Sequence, residues 1–427
     1  MQEHKESKRT VSTLTIGLMW SGIAISVAEI WAGGFIGQAG LVWGLVIIVV
    51  GHALGGLVMS AAGCIGTRYG VMSMESTRLV LGNRGSTIPS VLNVLQLVGW
   101  ATIMLALSGA VGASVGKPLG GVFARKEFWI ILIGAGTLAW SLLVGEERTR
   151  WLQHILIGGL LALSVVMTFV ALNPKYYTLK GPFLKSIPLA KGASLMDFAI
   201  VMPISWAPLI ADYSRMARSE KGAFWSSFGG YGIMSIWMYV IGLVVFLATG
   251  TDDAGANVVG MMGKVGLAIP AMILVFASTV TSDFPDIYSS ACSMLNIDRR
   301  IKPVYTMWAT GLGTIVLALF FDLSKYMHFL ELIGAVFVPL FALLLTEYFV
   351  VRRQRLPGID FATGKGLEFT NGFRLTALAV WVLGAASFFT AKKFGFILGG
   401  SVTSFAVTAA AHLAVVKFAT GGAQPEE

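Results

Sequence analysis

Apolar stretches follow one another along this chain with only short polar interruptions. In order they cover about 13–39, 42–66, 88–115, 127–145, 151–172, 195–216, 223–249, 264–294, 304–322, 328–351, 372–391 and 395–417. Each is close to the roughly 20 residues a helix needs to cross the hydrocarbon of a bilayer. Short segments of strict alternation, the mark of a membrane barrel, are not needed to account for the pattern. The pattern predicts an all-α integral membrane protein with 12 transmembrane helices.

Composition sharpens this. Hydrophobic residues make up 56% of the chain and charged residues 12%, against about 25% charged in soluble domains. No long polar segment remains for a separate soluble domain. The net charge of +9 follows from basic loops rather than from a nucleic-acid surface. With the N-terminus inside, 20 of the 31 Lys and Arg residues fall in inside segments, which places both termini in the cytoplasm. The run that follows the basic MQEHKESKRT is too long for a signal peptide. The stretch 173–194, with Pro174, Pro182 and Pro188, reads as an outer loop, and the terminal GGAQPEE as a disordered tail. Cys64 and Cys292 read as buried small hydrophobes. His52 and His154 read as satisfied core groups, and Glu331 and Glu347 as end-of-helix acids that reach water.

The chemistry lies where the helices are neither apolar nor regular. Helix 1 carries Glu29 near mid-span, where a carboxylate costs about 2.5–3.5 kcal/mol on insertion scales. It must face a cavity, pair, or be protonated. Gly33 and Gly34 behind it are expected to let the helix unwind. Helix 6 carries Pro203-Ile204-Ser205-Trp206-Ala207-Pro208, and prolines free carbonyls that need other partners in lipid. Trp31-Ala32 and Trp206-Ala207 both precede a helix breaker, in helices that open blocks 1–5 and 6–10. Such paired breaks point to a carrier's binding site. In helix 3, Gln96 and Trp100 share a face at i, i+4 and suit a flat heteroaromatic solute. In helix 8, Ser278, Thr281 and Ser282 line one face with hydroxyl oxygens that suit a hard cation. Asp283 and Asp286 add two acids. No metalloprotease or nucleophile-and-base pattern suggests an enzyme, and acids at one depth suit an occluded site better than a channel.

Asp212-Tyr213-Ser214-Arg215 after helix 6, Gly99-Trp100 and Thr281-Ser282-Asp283 resemble the nucleobase–cation symporter family of cytosine, purine, allantoin and hydantoin permeases. The run 28–33, the stretch 74–78 and the run 93–100 are similar to the branch of hydroxymethylpyrimidine transporters. The resemblance implies a LeuT-like fold, a 5+5 inverted repeat plus two C-terminal helices. It divides the chain into a cytoplasmic tail 1–12, a first repeat 13–172, an outer loop and second repeat 173–351, helices 11 and 12 in 352–417, and a tail 418–427. It implies a multi-pass carrier of the bacterial cytoplasmic (inner) membrane, working as a monomer and without nucleic acid. The implied ring contacts are Trp100 and Trp206 as a sandwich, with Ser205 and Gln96 beside it. Sodium would be held by helix 1 carbonyls at Ser26 and Glu29 and by Ser278, Thr281 and Ser282. Glu29, Asp283 and Asp286 depart from the family's usual small or amide residues. A carboxylate there, Glu29 or Asp286, could accept from the amine of an aminopyrimidine such as hydroxymethylpyrimidine, a thiamine precursor. The alternative is a proton-coupled permease for cytosine or another nucleobase.

Overall fold

The computed structural model describes residues 10–143, 146–251 and 254–420. The expected tail up to residue 9, the GGAQPEE end and the side chains of Arg148, Arg150 and His154 lie outside the described residues. Among those described, regular structure is helical, with two isolated bridges, Val11 to Ala217 and Asp360 to Lys365.

The helices are α1 (Thr13–Ala24), α2 (Val27–Ile36), α3 (Leu41–Tyr69), α4 (Ser73–Ser76), α5 (Arg78–Leu81) and α6 (Thr87–Gly116). Then come α7 (Lys126–Leu143), α8 (Glu146–Leu172), α9 (Leu189–Ile204), α10 (Ala207–Ser214), α11 (Glu220–Thr249) and α12 (Ala254–Gly263). The chain closes with α13 (Ala268–Ile297), α14 (Pro303–Phe320), α15 (Tyr326–Leu345), α16 (Leu375–Phe394) and α17 (Gly399–Thr420). Among the described residues, nine helices are long and apolar enough to cross a bilayer, and ten if α1 and α2 form one span bent by 62°. This is an all-α, multi-pass integral membrane protein. The apolar part of α8, Ile157–Leu172, is shorter than a full span.

The break in the first span is not where the glycines stand. α1 ends at Ile25, and Ser26 is extended (φ −138°, ψ 158°), its hydroxyl accepting from the Glu29 N–H at 3.3 Å as an N-cap. α2 then runs unbroken through Gly33 and Gly34. Gly33 is a packing residue: a Cβ there would collide with the Tyr239 carbonyl on α11, and one on Gly242 would collide with the Ile30 carbonyl. Small residues on both sides let these two backbones touch. Ser26, an extended residue that caps the next helix, is the real hinge.

The second break falls within the predicted proline segment. α9 ends at Ile204, the Trp206 N–H turns back to the Pro203 carbonyl at 3.1 Å, and α10 begins at Ala207. Pro208 sits in the first turn of α10, where a missing N–H leaves no bond unmade. The short α12 between α11 and α13 falls wholly between the expected 223–249 and 264–294 helices, in what reads as loop.

The loops sort into two sets. On one side the Val11 N–H meets Met216 O at 3.0 Å, the Ser73 N–H meets Asp212 Oδ1 at 3.0 Å, Arg78 Nε meets Asn296 Oδ1 at 2.8 Å, and the Arg84 N–H meets Gly372 O at 2.9 Å. In the other set, the Leu41 and Val42 N–H groups meet Pro182 O and Phe183 O at 3.2 and 3.1 Å, and the Gly181 N–H meets Leu247 O at 2.9 Å. Cys64 and Cys292 are buried and form no disulfide. Glu347 corrects its expectation. It is 2% exposed and takes Arg352 Nε at 2.7 Å, Arg374 at 3.3 Å and His412 Nε2 at 2.7 Å. It ties α15 to α16 and α17 instead of reaching water, because an unpaired carboxylate at that depth would be far more costly. Glu331 pairs with Lys392.

Replacing Gly33 with Ala should lower the melting temperature of the purified protein, by overpacking worth about 1–3 kcal/mol. Gly136→Ala, where nothing lies within 4 Å of the added Cβ, should stay within about 0.5 kcal/mol. Equal melting temperatures for the two variants would refute the packing role.

Candidate functional site

The two breaks face each other. Ser26 at the first break and Trp206 at the second border one small internal cavity, with Glu29, Trp100, Ser282 and Asp286 on its walls and Met104 and Met202 filling the gaps. It leaves about 10 Å³ for the centre of a water molecule, about the least that one water requires. Helices 3 and 8 of the predicted pattern, α6 and α13, supply the polar groups, and α2 and α10 the broken ends.

Trp100 and Trp206 are nearly parallel, with ring centroids 6.4 Å apart and planes at 15°. A planar ring held between two others needs roughly 7 Å, twice the contact distance of carbon atoms. A small outward shift of either indole would therefore admit one flat heterocycle. Trp206 is held by its indole N–H, which donates to Tyr231 Oη at 3.0 Å, and by an edge contact with Trp20. Trp100 packs edge-on against Tyr326 and Phe329. Its Nε1 is buried with no hydrogen-bond partner among the described residues.

Gln96 closes the backbone bill at the second break. Its Nε2 donates to the Ser205 carbonyl at 2.8 Å and to Asn93 Oδ1 at 3.3 Å. Its Oε1 is left buried without a partner. Ser205 turns its hydroxyl to the Met202 carbonyl at 2.6 Å, so Ser205 meets Gln96 through its backbone. Asn93 also reaches Ser293 at 2.9 Å and the Pro208 carbonyl at 3.3 Å.

The acids are treated differently. Glu29, 2% exposed, accepts from Tyr231 Oη at 2.6 Å and from Ser235 Oγ at 2.7 Å, one donor per oxygen. Ser235 in turn stands 2.7 Å from His52 Nε2, and His52 Nδ1 lies 2.8 Å from the Ile48 carbonyl. Asp286 lines the cavity, and its Oδ1 has no hydrogen-bond partner among the described residues. Asp283, expected beside it, does not line the cavity. It is fully buried, and neither of its oxygens has a hydrogen-bond partner there.

On the cation side, Ser278 Oγ donates to the Ile25 carbonyl at 2.8 Å, joining α13 to the first break. The Ser26 carbonyl takes the Ile30 N–H at 3.4 Å. Thr281 turns its hydroxyl to the Ala277 and Ser278 carbonyls, both at 3.0 Å. Ser282 Oγ lines the cavity without a hydrogen-bond partner among the described residues. No cluster of three or more His, Cys, Asp or Glu side chains occurs among them either, so transition-metal chemistry has no ligand set here.

The sequence reading missed Tyr231 and Ser235. Their signal was present, since Tyr231, Ser235 and Tyr239 recur every four residues and mark one polar stripe on an apolar helix.

The geometry has counterparts in known proteins. A nucleobase-cation-symport-1 family transporter, solved in a closed conformation with bromovinylhydantoin bound, superposes with a TM-score of 0.81 at 20% identity, over 98% of this chain and 94% of that one. A Na+-coupled sialic acid symporter gives 0.66 at 14% identity, over 96% of this chain and 90% of that one. These likenesses identify the fold as LeuT-like. The hydantoin permease of Microbacterium maritypicum is 22% identical over 413 residues, 92% of this chain and 84% of that protein. The cytosine permease of Escherichia coli (strain K12) is 21% identical over 358 residues, 82% of this chain and 80% of that protein. The family model for permeases of cytosine/purines, uracil, thiamine and allantoin matches residues 4–411. The chain belongs to that family: it is a membrane transporter of the nucleobase–cation symport type and not an enzyme.

Proposed function

We propose that this carrier imports a pyrimidine-type heterocycle, hydroxymethylpyrimidine being the best fit, by sodium symport through alternating access. The observation that carries the reading is the set of unpartnered polar atoms around the Trp100–Trp206 pair. Asp286 Oδ1 on the cavity wall, Gln96 Oε1 one turn before Trp100, and Trp100 Nε1 itself have no hydrogen-bond partner among the described residues. A 4-aminopyrimidine presents an amine donor beside a ring-nitrogen acceptor, which complements that set. A dioxo ring such as uracil presents ring N–H donors flanked by carbonyls, with no amine beside a ring-nitrogen acceptor, and matches the set less well. Asp286 is the substrate acid in this reading, because both Glu29 oxygens already have donors. Glu29 then holds Trp206 in place through Tyr231.

Counting α7 and α8 as spans gives twelve, arranged as two inverted five-helix repeats and two further helices, with both termini in the cytoplasm and the monomer as the working unit. The divisions at 13–172, 173–351 and 352–417 follow. Sodium, a co-substrate here, would sit between the first break and α13, with Ser278, Thr281, Ser282 and the carbonyls near Ser26 and Glu29 as ligands. Its binding would order the break and so favour the substrate, a coupling set by differential affinity for the two states. One observation favours proton coupling instead: the hydrogen-bonded file from Glu29 through Ser235 to His52.

Asp286→Asn should raise the half-saturating concentration of hydroxymethylpyrimidine at least about tenfold in proteoliposome uptake, the loss of one charge-assisted bond. Uracil should be affected less. Normal uptake in a Glu29→Gln, Asp286→Asn double variant would sink the assignment of the acids.

Replacing sodium with choline at fixed pH should abolish uptake, and Thr281→Ala with Ser282→Ala should raise the sodium requirement by about tenfold or more. Uptake that ignores choline replacement but collapses with a protonophore would give the coupling to protons.

A further inference from the structure

Asp283 is fully buried, off the substrate cavity, and neither of its oxygens has a hydrogen-bond partner among the described residues. Its surroundings follow from the register of four helices. α6 and α13 run antiparallel, since Asn93 meets Ser293 at 2.9 Å and Ser108 meets Thr279. Asp283 is one turn beyond Thr279 on the same stripe. The next residues along that stripe reach α14, where Ser290 meets Thr310 at 2.8 Å. On the other side Phe276 packs against Trp129 of α7. Asp283 therefore faces the junction of α6, α7 and α14.

Three hydroxyls lie at the same depth. Gly109 of α6 packs on Ile130 of α7. Thr102 precedes Gly109 by two turns and Thr137 follows Ile130 by two turns, so they stand level on facing sides. Thr314 is one turn beyond Thr310 on α14. Directly above is an apolar layer that includes Leu105, Ile133, Val280 and Ala318. Thr102, Thr137, Asp283 and Thr314 each lie one turn from one of those residues, on the same four helices. All four are at most 2% exposed.

None of these hydroxyls has a hydrogen-bond partner among the described residues. Ser141, Ser164, Thr168 and Thr390 each donate to the carbonyl four residues back, the default for such side chains in a helix. Thr102, Thr137 and Thr314 forgo it, and none of them bonds Asp283. One carboxylate and three hydroxyls at one level of four adjoining helices are thus buried without protein partners among the described residues.

We propose that this four-helix junction is a monovalent-cation site, with Asp283 as its charged ligand and Thr102, Thr137 and Thr314 as neutral ones. Hard oxygens select a hard ion. A single carboxylate neutralises one charge, and a divalent ion would leave net charge in the hydrocarbon. Such an ion would fasten α6, α7, α13 and α14 into one block. Asp283 lies off the substrate cavity, beside Asp286 on α13, and the site stands or falls independently of the substrate and sodium-coupling readings.

The test is thermal melting of the purified full chain in NaCl, KCl or choline chloride, at constant pH and ionic strength. It uses a Thr281→Ala, Ser282→Ala background to remove ion binding at the first break. A stabilisation by NaCl or KCl over choline should persist in that background. Adding Asp283→Asn should abolish it. Adding Thr314→Val or Thr102→Val instead should raise the half-saturating cation concentration about tenfold, which decides the matter should Asp283→Asn fail to fold. The site is refuted by no cation-dependent shift in the background. It is equally refuted by a shift that survives these substitutions unchanged, or by an Asp283→Asn protein that simply melts higher in choline, the behaviour of a protonated acid with no ion.

Discussion

A helix that breaks inside a bilayer releases backbone groups that no water can satisfy, and each unsatisfied group costs several kcal/mol. Both breaks in this protein are placed under that constraint. At the first, Ser26 caps the Glu29 N–H and Ser278 reaches across from α13 to the Ile25 carbonyl. At the second, Gln96 reaches from α6 to the Ser205 carbonyl, and Asn93 to that of Pro208. Of the residues that repair the breaks, Ser26 also borders the cavity, and Gln96 stands one turn from Trp100 on its wall. Neither broken span can be read apart from the helix that mends it.

The buried acids obey a related rule with different outcomes. Asp197 on α9 accepts the Gly400 and Ser401 N–H groups at 2.8 and 2.7 Å and thereby caps α17. Glu347 gathers three basic side chains at the far ends of α15, α16 and α17. Glu29 is saturated by neutral hydroxyls. All three hold elements together. Asp286 and Asp283 differ because oxygens of each are left without protein donors. An acid kept in an apolar bundle without internal partners destabilises the fold unless something else meets it. Asp212 stands between the two kinds, its Oδ1 accepting the Ser73 N–H and its Oδ2 without a partner among the described residues.

Much of this was legible in the chain. Helix positions follow from apolar runs, and the polar residues of 93–100 and 278–286 mark the faces that meet at the cavity. Trp100 and Trp206 do come to face each other. The register of the first break was not legible, because Gly33-Gly34 and Ser26 are both plausible hinges until the partner is known. Only the contact with Tyr239 on α11 shows that the glycines serve packing. The fate of Asp283 was hidden for the same reason. It is adjacent in sequence to Ser282 but about a quarter turn away on the helix, enough to change which neighbours it meets. Glu347 misled because its partners, Arg374 and His412, come from the two helices that follow.

The least expected connection is the one between the two halves of the site. Trp206, at the second break, donates to Tyr231 on α11, and Tyr231 donates to Glu29 on α2, just past the first break. Moving α10 alone would strand a buried indole N–H, a loss of roughly 1–3 kcal/mol. Moving α2 alone would leave a buried carboxylate short of a donor, which is worse. The cheaper course is for α2, α10 and α11 to shift together, keeping the file intact. The slot between Trp100 and Trp206 would then widen by motion against α6, which holds Trp100, rather than within the bundle that holds Trp206. In that arrangement Glu29 serves as the far anchor of one wall of the slot.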